Sequence, residues 1–193
     1  SPHFQRSVHL HSGLNRPQHR PAHLLGLYPG NAITDKTPEL IEACKVSLLD
    51  RGFGQKSGAN GSGWGKANKV NLWARAKDGK RAYSMLRELI NKNIAPNLWD
   101  FHPPYQMDGN CGYTSGVCEM LCYSSDDIIE LLPALPEEWK NGSVKGLCAR
   151  GGYSLDFTWE NGEIKSLSVY SSCGKKTARI KMGDEIKTVK TVG

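Results

Sequence analysis

The chain has 193 residues, 38% apolar and 23% charged, and its 21 glycines and 10 prolines describe a loop-rich globular protein rather than a disordered one. The 25 Lys and Arg outnumber the 19 Asp and Glu for a formal charge of +6, but they crowd only at Lys175, Lys176, Arg179, Lys181, Lys187 and Lys190. They lack the interleaved aromatics or the module that a nucleic-acid surface needs, and no run approaches the roughly 18 apolar residues of a membrane span, so neither partner is expected.

This length suits one medium domain, or a partial domain with a small one beside it, and it is enough to bury a real core. The opening Ser1-Pro2-His3-Phe4-Gln5-Arg6 has no apolar leader and no initiating Met, so no signal peptide is expected within the chain and a piece of something longer is. Cys44, Cys111, Cys118, Cys122, Cys148 and Cys173 include no C-x-x-C pair. They read as small buried apolar residues, not as metal ligands or a disulfide framework, and leave the redox compartment open.

In chain order, the first 30 residues are rich in His, Pro and Arg and show no period until Leu24-Leu25-Gly26-Leu27-Tyr28, a short helix ending in a turn at Pro29-Gly30-Asn31. Thr37-Pro38 supplies an N-cap and an N1 proline, and Leu40, Ile41, Cys44 and Leu48 line one face of a helix over about 38–51. Five glycines between 52 and 63 make a flexible loop. Trp64 then leads into a second helix carrying Val70, Trp73 and Ala74, which Asp78-Gly79 ends. Ala82, Met85, Leu86, Leu89 and Ile90 form the broad buried face of a third helix, antiparallel to the second, and Val117, Met120 and Leu121 mark a fourth near 113–123.

After Ser124 the texture changes to short runs of period two, with Asn161-Gly162 a strong hairpin signal, so the last 60 residues read as a small antiparallel sheet. The chain is helical first and β afterwards, an α+β order with its boundary at about 125–136.

The functional signal lies between the third and fourth helices, in His102-Pro103-Pro104-Tyr105-Gln106-Met107-Asp108-Gly109-Asn110. Two prolines and a glycine stiffen a segment that carries an imidazole, a carboxylate and two carboxamides, a loop built to hold a polar ligand. The competing reading is a turn that merely caps the next helix.

This stretch, with His23-Leu24-Leu25-Gly26-Leu27-Tyr28-Pro29-Gly30, Gly63-Trp64, Lys69-Val70-Asn71-Leu72-Trp73-Ala74-Arg75, Pro96-Asn97-Leu98-Trp99-Asp100, Glu119-Met120-Leu121, Leu131-Leu132-Pro133-Ala134-Leu135-Pro136 and Gly146-Leu147-Cys148-Ala149-Arg150-Gly151-Gly152-Tyr153, resembles the carboxy-terminal portion of glycoside hydrolase family 95. The members of that family are chiefly α-L-fucosidases. The likeness runs in order from about residue 19 to about 175.

The resemblance implies the last helical hairpins of an (α/α)6 toroid over residues 1–125, followed by a carboxy-terminal antiparallel β domain over 126–193. It further implies hydrolysis of a terminal, α-1,2-linked L-fucosyl residue with inversion, in which a glutamic acid protonates the leaving oxygen and an aspartate with neighbouring asparagines activates water. Asp108 matches that aspartate. His102 and His23 match sugar-hydroxyl ligands, with His19 and Arg20 in the same wall. Trp64 and Tyr105, on loops, are the aromatics best placed to line the cleft, and Gln106 and Asn110, beside the base, are expected to bind substrate; Trp73 and Trp99 could also stack on a sugar face, but Trp73 reads as core.

An inverting enzyme needs its two carboxyls roughly 6.5–9.5 Å apart so that water fits between base and sugar, and it needs neither cofactor nor metal. No Glu here matches the motif of the acid, which is expected upstream in the same enzyme, and Glu119 reads as a structural hydrogen-bonder. The missing acid motivates an alternative, a non-catalytic carbohydrate-binding or structural module derived from such an enzyme. Three departures from the family pattern are Cys111 in place of an aromatic, Asn68 in place of Trp, and Pro21-Ala22 interrupting the approach to His23. The expected partner is a fucosylated glycan, and the resemblance points to an extracellular or periplasmic setting.

Overall fold

The computed structural model describes residues 24–50, 63–101, 104–125 and 127–192. Among these residues four α-helices come first: α1 (Pro38–Asp50), α2 (Trp64–Arg75), α3 (Gly79–Asn93) and α4 (Met107–Leu121). Seven strands follow: β1 (Cys122–Ser124), β2 (Ile129–Leu131), β3 (Gly142–Ala149), β4 (Tyr153–Glu160), β5 (Glu163–Ser171), β6 (Thr177–Met182) and β7 (Glu185–Lys190). The fold is α+β.

Helix α2 is the hub of the helical part. Lys66, Ala67, Lys69, Val70, Asn71, Leu72, Trp73 and Ala74 are all buried, so it is covered nearly all round. Such a helix must place its polar groups, and it does. Lys66 Nζ donates to Asn93 Oδ1 at 2.9 Å and pairs with Glu88 Oε1 at 3.2 Å. Asn71 Nδ2 donates to the carbonyls of Ala67 and Gly112, while its Oδ1 accepts from Ser115 Oγ, which in turn meets the Tyr28 hydroxyl at 2.9 Å.

The close approach of α4 to α2 is made by glycines. A Cβ at Gly112 would stand 2.9 Å from that of Ala67, and one at Gly116 would stand 2.5 Å from Val70 Cγ1. Gly109, Gly112, Gly116 and Met120 form the buried stripe of α4, at helical spacing.

Three helix readings need correction. Asp78 does not end α2 but caps α3, its side chain accepting from the Arg81 N–H at 2.9 Å. Ile90 lies off the buried face of α3 at 45% exposure. Thr37 precedes α1 as expected, but its hydroxyl turns back to the carbonyl of Thr34.

The β part is two sheets rather than one. β3-β4-β5 is an antiparallel meander whose β4–β5 turn is Asn161-Gly162, with φ of 52° and 78° at the two positions. The other sheet, β1-β2-β6-β7, contains a parallel pair, with Ile129 opposite Ile180 and Leu131 opposite Met182. A parallel pairing leaves no local turn signature in sequence. Leu155, Phe157, Trp159, Val169, Ile129, Leu131 and Ile180 make the core between them.

Four charges join the two parts. Lys77, just past α2, bonds both oxygens of buried Glu130 on β2 at 2.8 and 2.9 Å, and Asp35 at 2.5 Å. Lys181 on β6 reaches Asp35 at 2.9 Å and Glu130 at 3.2 Å.

The cysteines also depart from expectation. None is in a disulfide, and only Cys44 is buried; Cys122 is intermediate, and Cys111, Cys118, Cys148 and Cys173 are exposed. Most sit on outward faces, where no core claims them.

Candidate functional site

The His102–Asn110 stretch is less of a loop than its prolines suggest. Helix α4 begins at Met107, about six residues before the sequence reading placed it, so Asp108, Gly109 and Asn110 belong to its first turns. The apolar period on which that reading rested starts only at Val117, because the buried positions before it are glycines, which carry no hydrophobic signal.

Asp108 is exposed in that first turn. The amides there have no carbonyl one turn back and the helix dipole is positive at this end, so a carboxylate is favoured by about 0.3–1 kcal/mol. The helix also fixes the direction of the side chain, as a base aimed at one water requires.

The surroundings of Asp108 are held by the side chains beside it. Gln106 Oε1 accepts from the Trp64 N–H at 3.0 Å, tying the start of α4 to the start of α2. The Gln106 N–H donates to the Asp100 carbonyl at 3.0 Å. Asn110 Oδ1 accepts from the Asp100 N–H at 2.9 Å, and its Nδ2 donates to the Leu98 carbonyl at 2.6 Å. The two carboxamides expected to face substrate thus grip backbone, clamping residues 98–100 against α4.

The aromatics divide as well. Trp64 is the first residue of α2 rather than a loop residue, and its ring lies over Gly112 of α4, half-buried. Tyr105 is 37% exposed and its ring meets that of Trp99, 51% exposed, at 4.9 Å between centroids and 40° between planes. Trp99, which the sequence also offers as an aromatic able to stack on a sugar, presents an open face next to Tyr105. Trp73 is core, 2% exposed.

His102, His23, His19 and Arg20 lie outside the described residues. The structure therefore brings together Asp108, Gln106, Asn110, Tyr105 and Trp64, and leaves the imidazole wall undescribed.

Asp100 is the residue most clearly missed. It is fully buried between exposed Trp99 and exposed Phe101, and its carboxylate occupies the space that a side chain at Gly109 would need and lies 3.2 Å from where a Cβ at Gly63 would stand. A carboxylate amid Leu98, Trp99 and Phe101 was the available signal.

Glu119 lies well along α4, where Arg75 Nη1 bonds it at 3.3 Å. Burial pushes its carboxyl up, against the opposing pull of Arg75 and Arg150. Arg75 is itself engaged by the Gly30 carbonyl and by Asn31, and stacks 4.1 Å from the Tyr123 ring centroid. Glu119 is a structural hydrogen-bond partner in this fold. Among the described residues no group of three or more His, Cys, Asp or Glu could hold a metal ion, and no helix is long and apolar enough to cross a membrane.

Residues 12–121 match the glycosyl hydrolase family 95 catalytic domain, and residues 123–192 match the glycoside hydrolase family 95 C-terminal domain. The chain is 36% identical over 163 residues to Alpha-L-fucosidase 2 of Arabidopsis thaliana, covering 78% of this chain and 19% of that protein. It is 34% identical over 162 residues to Probable alpha-fucosidase A of Aspergillus oryzae, covering 72% and 22%. Against Probable alpha-fucosidase A of Aspergillus niger the identity is 31% over 180 residues, covering 83% and 22%. The chain spans about a fifth of the length of these curated relatives.

Proposed function

Since the chain belongs to glycoside hydrolase family 95, we propose that it is the carboxy-terminal portion of an inverting α-L-fucosidase and supplies the base side of its site. The observation that carries this reading is Asp108, an exposed carboxylate on the first turn of α4, buttressed by the Gln106 and Asn110 clamps. In this reading residues 1–125 are the end of an (α/α)6 toroid and 126–193 the β domain.

The chemistry follows from the placement. Asp108 accepts a proton from water as the oxygen attacks the anomeric carbon of a terminal, α-1,2-linked L-fucosyl group, and a glutamic acid outside these 193 residues protonates the departing oxygen. His102, His23, His19 and Arg20 hold sugar hydroxyls, and Trp64 and Tyr105 flank the ring. Gln106 and Asn110 act at one remove, by fixing the turn that carries the base; the Gln106 amide NH2, which has no partner among the described residues, is the group left for the sugar.

The test is proton NMR of the full-length protein acting on 2′-fucosyllactose. Inversion releases β-L-fucose first, with the α anomer appearing only as the sugar mutarotates. First release of the α anomer would contradict the mechanism. Release of galactose from an α-L-galactoside at a higher rate would correct the sugar while keeping the base.

A further inference from the structure

We propose that Asp100 is the positioning residue for Asp108. Its buried carboxylate, seated between Gly63 and Gly109, sets how the first turn of α4 presents the base, an inference that rests on the reading of Asp108 given above.

Three observations converge on it. The side chain is fully buried, and burying a carboxylate is expensive unless its charge has a use in place. An apolar residue could fill the same volume without that cost. Both backbone groups of Asp100 are also engaged by the residues that flank Asp108: its N–H goes to Asn110 Oδ1 at 2.9 Å, and its carbonyl accepts from the Gln106 N–H at 3.0 Å.

The third observation is steric. A side chain at Gly109, the residue after Asp108, would fall inside the Asp100 carboxylate, and one at Gly63 would stand 3.2 Å from Asp100 Oδ2 and collide with Gln106. Gly109 has therefore given up its side chain to the Asp100 carboxylate, and Gly63 has given up its own to the Gln106 amide beside it. Gly63 has φ of 55° besides, so it serves the turn into α2 as well.

The site chosen is the amide end of α4, where a negative charge is favoured and where the chain direction of residue 108 is decided. A carboxamide of the same shape would place an uncharged NH2 or C=O where the carboxylate now stands against Gly109, without the negative charge that this end of the helix favours. The first turn would tilt, and the carboxylate of Asp108 would swing off the line to the anomeric carbon. Small errors in such a line are costly to the chemical step and nearly silent in binding.

Asp100→Asn in the full-length protein should lower kcat on an α-L-fucoside at least tenfold with KM within about threefold. In the same full-length protein, the variant should speed hydrogen exchange at the amides of Met107 to Asn110 at least tenfold while leaving those of α3 unchanged. Gly109→Ala should give the same signature from the other side. Alanine is the better helix former, so a loss there comes from the displaced carboxylate, and this variant decides the matter if Asp100→Asn does not fold. A kcat within twofold of the parent, or unchanged exchange at 107–110, would overturn the role. If the parent itself releases no fucose, the proposed reaction fails while the exchange data still decide whether Asp100 sets the turn.

Discussion

The Trp64 N–H donates to Gln106 Oε1 at 3.0 Å, so the first residue of α2 and the residue just before α4 share one hydrogen bond across 42 positions of sequence. Two helix starts are thereby held at one height, and Asp108 stands two residues beyond the bond. Gln106→Ala should destabilise the chain by about 1–2 kcal/mol, read as a lower urea midpoint with unchanged slope. A midpoint within error of the parent would show that the bond carries no weight.

The contact of α2 with α4 predicts a substitution that helix propensity alone gets wrong. Gly116→Ala gains about 1 kcal/mol in intrinsic helix preference but drives a methyl to 2.5 Å from Val70 Cγ1. Overpacking of this kind costs about 1–3 kcal/mol, so a net loss is expected in thermal unfolding. Val70→Ala in the same chain should recover the overpacking part of it.

The four-charge cluster between the helical and β parts should respond unevenly to truncation. Glu130 is buried and faces both Lys77 and Lys181, so Glu130→Ala should cost about 3 kcal/mol or more. Asp35, 48% exposed at its side chain, should cost under about 1 kcal/mol. Denaturant midpoints of the two variants would rank them.

The same cluster sets a pH window. Burial pushes the Asp35 carboxyl up, but the hydrogen bonds and charges of Lys77 and Lys181 outweigh it and hold the group below its ordinary 3.8. A lowered folded value means that its contribution is complete above 3.8 and is lost as pH falls through the folded value. For Lys181, burial pulls down while Asp35 and Glu130 pull up more strongly, so its contribution is complete below 10.5 and lost at higher pH. Asp35→Asn should therefore differ from the parent between these limits and converge with it in strong acid.

Thiol reactivity should sort by face. Cys111, Cys118, Cys148 and Cys173 are exposed and should label quickly with a thiol reagent in the folded chain. Burial pushes Cys44 up to about 11, and burial together with Glu119, Cys118 and Glu130 pushes Cys122 up to about 12, so these two should wait for unfolding. Within the fast set, Cys118 should be slowest, its thiol raised by partial burial and by Glu119. Six equal rates would contradict the assigned packing.

Much of this was legible where side chains announce their period. Ala82, Met85, Leu86 and Leu89 declared α3, and Asn161-Gly162 declared the β4–β5 turn. The start of α4 was not legible, because Gly109, Gly112 and Gly116 bury a face without being hydrophobic. Nor was the pairing of β2 with β6, which joins residues about 50 apart with no turn between them. Asp108 could be picked out by motif as the proposed base. The work of Gln106 and Asn110 could not, since a carboxamide in sequence looks the same whether it meets a sugar or a backbone amide.

The proposed chemistry depends on Asp108 as the base. The most direct measurement is kcat for L-fucose release by the full-length protein with Asp108→Asn, alongside its unfolding temperature. Loss of the carboxylate should lower kcat by about a thousandfold or more while the protein stays folded, since an exposed side chain on a helix start contributes little to stability. A folded Asp108→Asn protein that keeps full activity would mean that the base lies elsewhere.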